Sequence, residues 1–176
     1  MLKHTIFETK FGWIGIMVSD NGVLRTTLPL RSVLEVQNNF GFFFQKSIKD
    51  NCHKEIKIIQ KQIILYLNRE KSQIHHIPVD LSYLPDFTNR VLNICLKIPF
   101  GETRSYKWLA TELGSSKYAR AVGQSLSKNP VPLIIPCHRV ISISGAMQGF
   151  MGGTKQNHLK RRLIDLEKST LSCFKV

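Results

Sequence analysis

The chain changes texture near Tyr83-Leu84-Pro85, and that change sets the kind of fold it can adopt. Ahead of it, Thr5 to Lys10 and Trp13 to Val18 are β-rich runs, and Asp20-Asn21-Gly22 is a turn signal before Val23 to Leu28. A helix is expected after Ser32. Another spans about Cys52 to Asn68, where Ile56, Ile59, Ile63 and Leu67 share one face. Ile77 to Leu81 reads as a further strand. Behind the change nearly everything is helical. Asp86 caps a helix through Ile98 with Phe87, Val91, Ile94 and Ile98 as its buried stripe. Ser105 caps a second helix through Leu113, ended by Gly114, and Ser116 caps a third from Lys117 to Lys128. Val131 to Gly153 is punctuated by proline and glycine. A last helix runs from about Thr154 to Lys168, with Leu159, Leu163 and Leu166 inward. The expected class is α+β: a small N-terminal mixed α/β domain over 1–84, then a mostly helical domain over 85–176.

With 176 residues the chain can bury a real core. Its 25 Lys and Arg against 12 Asp and Glu leave a formal charge of +13, which favours a polyanionic partner, nucleic acid above all. A host whose whole proteome is basic is the alternative. Four cysteines (Cys52, Cys95, Cys137, Cys173) show no CxxC spacing, which argues against a disulfide framework and for a reducing compartment. Cys52, Cys95 and Cys173 suit inert buried thiols. The pairs Cys52-His53 and His75-His76 match no usual zinc spacing, so no metal is expected. The start of the chain lacks an apolar h-region, and no stretch has the length of a membrane span. A soluble cytoplasmic protein is expected, nuclear if the host is a eukaryote, with no membrane partner.

The chemistry concentrates in Ile135-Pro136-Cys137-His138-Arg139-Val140-Ile141. A thiolate is a strong nucleophile, and an imidazole is a natural acceptor for its proton. Neighbouring residues in an extended segment point apart, so a bridging water is the expected proton path from Cys137 to His138. His138 then needs an orienting acceptor on its other nitrogen, and Glu167 is the candidate. The alternatives are an inert buried Cys137 and a surface Glu167 paired with Arg162 or Lys168. Residues 105 to 128 have the proportions of a helix-turn-helix. Its second helix carries small residues, Ala119, Ala121, Gly123 and Ser125, around a prominent Arg120. Such a helix can approach a backbone or a narrow groove closely, whereas a purely structural pair would pack Ala121 and Val122 and leave Arg120 solvated.

Together Phe100-Gly101-Glu102-Thr103-Arg104-Ser105-Tyr106, Ala119-Arg120-Ala121-Val122-Gly123, Asn129-Pro130-Val131-Pro132 and Ile135-Pro136-Cys137-His138-Arg139-Val140 resemble the O6-alkylguanine-DNA alkyltransferases. The match is ordered across residues 85 to 167; the N-terminal half matches in general texture. The resemblance implies one-time, irreversible transfer of an alkyl group from guanine O6 to Cys137, with no dissociable cofactor. It also implies a water between Cys137 and His138, Glu167 orienting His138, and Asn129 bracing the turn before the active segment. Tyr106 would serve guanine N3, and the carbonyls of Cys137 and Val140 would select the exocyclic amine. Arg120 would fill the space of the everted nucleotide. Phe150 and Met151 would line the alkyl pocket, where Met151 replaces a small residue and Gln148 a frequent glycine. Double-stranded DNA carrying O6-alkylguanine is the implied partner, met by a monomer, through a winged-helix-like helix-turn-helix. A relative that grips lesions without transfer lacks the acceptor cysteine, and Cys137 argues against it. A sequence-specific regulator is the other rival, poorly served by a helix of small residues.

Overall fold

The computed structural model describes residues 1–70, 72–145, 150 and 156–173. It divides into two compact units, Met1–Leu81 with Pro130–Ile134, and Ser82–Asn129 with Ile135–Val176. The single boundary drawn after residue 84 leaves out the return of Pro130–Ile134 to the first unit.

In the first unit β1 (Leu2–Thr9), β2 (Gly12–Ser19) and β3 (Gly22–Thr26) form an antiparallel meander. After α1 (Val33–Phe40) and the short α2 (Phe42–Gln45), β4 (Ser47–Lys49) joins β1 in parallel, giving the order β3-β2-β1-β4. Ser32 caps α1 by accepting from the Glu35 N–H at 3.2 Å. The helix lies close on the sheet because Gly15 has no side chain. A β-carbon there would sit 2.5 Å from Phe40 Cζ and from Val36 Cγ1. Val36 and Phe40 bury against Met17 and Leu24. α3 (Lys54–Leu67) buries Ile56, Ile59, Ile63 and Leu67, the face that the spacing predicts, together with Tyr66.

Ile77 to Leu81 does not form a strand. Its pairing is one parallel bridge, Val23 to Val79, made by Val23 N–H to Pro78 O at 3.0 Å and Asp80 N–H to Val23 O at 2.8 Å. Proline at 78 can donate nothing, so the ladder does not extend. Pro130–Ile134 is bound by Thr26, whose N–H reaches Pro130 O at 3.0 Å and whose hydroxyl reaches Pro132 O at 2.6 Å. Within that segment the buried Leu133 holds φ at 75°, a left-handed conformation costly for a branched side chain.

The second unit is helical. α4 (Asp86–Leu96) buries Val91, Leu92 and Cys95, so its inward stripe is turned from the expected one: Phe87 and Ile94 are only half-buried. Its N-cap is Pro85, and Asp86 is instead the first helical residue, where its charge complements the helix dipole. The two-residue strand β5 (Arg104–Ser105) leads into α5 (Tyr106–Glu112), capped by the Ser105 hydroxyl accepting from Trp108 N–H at 3.0 Å. Gly114, at φ 104°, then turns the chain. A 3₁₀ turn over Ser116–Tyr118 precedes α6 (Ala119–Ser127), and its cap is Ser115 rather than Ser116. β6 (Val140–Ile141) pairs in parallel with β5. α7 (Asn157–Cys173) buries Leu163, Ile164 and Leu166 and runs past the expected end at Lys168; Leu159 is half-buried. Among the described residues no helix is long and apolar enough to cross a membrane.

Candidate active site

The segment holding Cys137 and His138 is not extended. Cys137–Arg139 form a 3₁₀ turn, closed by Arg139 N–H to Pro136 O at 2.9 Å, and α7 packs against it. Every residue of the turn is buried. Asn129, at the foot of α6, donates its side-chain amide to Ile135 O and to Cys137 Sγ, both at 3.1 Å. One side chain therefore holds the incoming backbone and touches the thiol.

Cys137 is 4% exposed, and burial pushes its thiol up to about 11. The Asn129 hydrogen bond and the positive charge of Lys160 pull the other way without overcoming it. His138 is fully buried, and desolvation lowers it below its usual value, so the ring is neutral near pH 7. Its Nε2 meets Glu167 Oε1 at 2.8 Å. Burial alone would raise Glu167; hydrogen bonds and charge from His138 and Arg139 outweigh that and hold it well below the usual carboxylate range. Glu167 is thus no surface glutamate. It is 1% exposed and bonds to His138 and Arg139 of the 3₁₀ turn.

Two residues of this site escape the sequence reading. Arg139 is buried behind the turn, with Nε 2.9 Å from Glu167 Oε2 and Nη2 3.0 Å from Glu167 Oε1. Lys160 is fully buried, its Nζ 3.5 Å from Tyr106 Oη and 5.7 Å from the centre of the Phe150 ring. A signal for Lys160 was present. Lys160, Leu163, Glu167 and Thr170 fall at spacings of three and four, so a lysine and a glutamate stand on the inward stripe of an amphipathic helix.

Tyr106 opens α5 half-buried, and burial raises its phenol. Gly123 faces it: a β-carbon at Gly123 would lie 3.8 Å from Tyr106 Cε1. Ala119 and Ala121 are half-buried on α6, while Arg120 beside them is exposed. Val140 and Phe150 are buried. Met151, Gln148 and Thr154 lie outside the described residues, as does the side chain of Cys173. Cys95 is buried, as expected of an inert thiol, but Cys52 is exposed. It precedes α3 in a turn where Asp50 accepts from its N–H at 3.1 Å. Among the described residues no group of three or more His, Cys, Asp or Glu is placed to hold a metal ion.

Comparison with known proteins gives one consistent set of relatives. Residues 86–169 match the family described as 6-O-methylguanine DNA methyltransferase, DNA binding domain. A methylated-DNA–protein-cysteine methyltransferase from Saccharolobus islandicus is 48% identical over 169 residues, 95% of this chain and 96% of that protein. One from Mycobacterium tuberculosis is 49% identical over 84 residues, 48% of this chain; the match spans about half of that protein, 49% of its length. The crystal structure of M. tuberculosis OGT in complex with DNA superposes with a TM-score of 0.76 at 29% identity, covering 96% of this chain and 94% of that one.

Proposed function

This chain belongs to the methylated-DNA–protein-cysteine methyltransferase family, and we propose that it restores guanine in DNA by moving an alkyl group from O6 onto its own Cys137, once per molecule. The observation that carries the reading is a buried thiol touched by Asn129, followed directly by a histidine bound to Glu167 at 2.8 Å. Burial pushes the thiol up to about 11, so Cys137 needs a base to take its proton. With Glu167 accepting from Nε2–H, the neutral ring carries its lone pair on Nδ1. Nδ1 takes the thiol proton through a water, and Glu167 steadies the imidazolium that forms.

The sulfur then attacks the alkyl carbon from the side opposite O6. An S–C bond forms, the C–O6 bond breaks, and its electron pair leaves with the base. Tyr106 donates to N3 as that charge gathers, so stabilisation is aimed at the departing anion. Guanine gains one proton where the thiol lost one, and the thioether that remains has no route back. The carbonyls of Cys137 and Val140 read the exocyclic amine, and the buried Phe150 borders the alkyl group. Met151 keeps the pocket role that the resemblance implies.

The guanine must leave the stack before sulfur can reach its alkyl carbon in line. Helices α5 and α6 act as a helix-turn-helix whose half-buried Ala119, Ala121 and Gly123 admit the backbone closely. Arg120, exposed at the start of α6, enters the space the base leaves. The surplus of 13 positive charges favours duplex DNA as partner, met by a monomer. Incubating Cys137→Ala with an O6-methylguanine duplex tests this: transfer is abolished and lesion binding persists. Residual transfer would place the acceptor elsewhere.

A further inference from the structure

Between Asn129 and Ile135 the chain of the second unit is interrupted by Pro130–Ile134, which belongs to the first. Every residue of that segment is buried. Two of them are prolines, which have no N–H, and the buried carbonyls must find donors elsewhere. Alternate carbonyls find them in two side chains. Thr26 N–H reaches Pro130 O at 3.0 Å, and the Thr26 hydroxyl reaches Pro132 O at 2.6 Å. His75, on the 3₁₀ turn Ile74–His76 that follows α3, has Nδ1 3.0 Å from Ile134 O. A carbonyl only accepts, so Nδ1 carries the proton and donates it. The buried Tyr66 of α3 meets the His75 ring edge-on, with centroids 6.2 Å apart, and holds its plane.

These donors bracket a strained residue. Leu133 stands between the Pro132 and Ile134 carbonyls with φ at 75°, which a branched side chain keeps only where its surroundings over-determine it. Relaxing Leu133 to negative φ would swing the Pro132 carbonyl away from Thr26. It would also shift Ile135, whose carbonyl is one of the two acceptors of the Asn129 amide. The other acceptor is Cys137 Sγ. The Asn129-to-Ile135 hydrogen bond thus closes a loop made of Pro130–Ile134, and the shape of that loop decides whether Asn129 reaches carbonyl and thiol together.

We propose that Thr26 and His75 are positioning residues for alkyl transfer. By gripping alternate carbonyls they hold Leu133 in its left-handed state, and through Asn129 and Ile135 they keep the Cys137 sulfur in line for attack. The proposal rests on Cys137 as the alkyl acceptor. It concerns the transfer step rather than DNA binding, because a misplacement of about 1 Å costs such a displacement on the order of a hundredfold.

The test is single-turnover transfer from an O6-methylguanine duplex to excess full-length protein, which separates the limiting rate from the duplex Kd. Thr26→Val keeps the side-chain shape and the backbone N–H but removes the hydroxyl; its limiting rate falls roughly tenfold while Kd stays in place. Thr26→Ser returns the rate to that of the wild type. His75→Leu slows the step in the same way, and His75→Asn, whose amide nitrogen stands where Nδ1 stood, restores it. A variant that merely folds poorly has fewer active chains, which saturating protein overcomes. A full limiting rate in Thr26→Val or His75→Leu, a loss confined to Kd, or no recovery in the Ser and Asn variants overturns the assignment. If Thr26→Val does not fold, the two His75 variants decide. Peptide mapping of the wild type reports on the acceptor reading itself: lesions cleared with Cys137 bare count against that reading, whereas variants that match the wild type count against the clamp alone.

Discussion

Lys160 is the residue that burial alone cannot explain. It sits fully inside the second unit against two aromatic rings, and no carboxylate among the described residues pairs with it. Desolvation lowers its ammonium, so the position costs stability, while its charge pulls the Cys137 thiol down. Lys160→Met separates these effects. The variant is as stable as the wild type or more so in urea, and its Cys137 reacts with iodoacetamide about 3- to 10-fold more slowly at pH 7, the effect of half to one unit. Loss of stability with unchanged reactivity would make Lys160 a packing residue. The sequence pointed to Cys137, His138 and Asn129 because they sit within a quotable pattern, and to Glu167 because the histidine needs an acceptor on its other nitrogen. Arg139 stood in the same pattern without a role, because its partner lies 28 residues on and its burial is a tertiary fact.

Elements were legible where one face decides them. Ile56, Ile59, Ile63 and Leu67 gave α3, and Ser32 and Ser105 gave the starts of two helices, because caps and spacing are local. Elements set by a partner were not. β4, β5 and β6 are two or three residues long and exist only as the far side of a pairing. Ile77 to Leu81 had strand composition, yet its neighbour offers one bridge. The registration of α1 on the sheet is tested through Gly15, since a methyl there meets Phe40 and Val36 at 2.5 Å. Gly15→Ala therefore destabilises by about 1–3 kcal/mol in denaturant titration, although alanine suits a strand no worse than glycine. A neutral result would mean that α1 shifts freely.

For the molecule as a whole, the buried relay makes stability depend on acid. His138 is lowered in the folded state, so its contribution is complete above the unfolded value of 6.5 and is lost as pH falls through it. Glu167 is lowered as well; its contribution is present above 4.5 and is lost on further acidification. Both losses run the same way, so stability declines below pH 6.5 and more steeply below 4.5; a flat profile from pH 7 to 4 would contradict the buried neutral histidine and ionised glutamate. The deepest commitment is that the protein is itself consumed. Duplex carrying isotopically labelled O6-methylguanine, titrated with protein and followed by peptide mapping, measures it directly. The account predicts label on Cys137 in equal amount to the lesions removed, ending at one per chain. Lesions vanishing while Cys137 stays bare, or many cleared by one molecule, would contradict it.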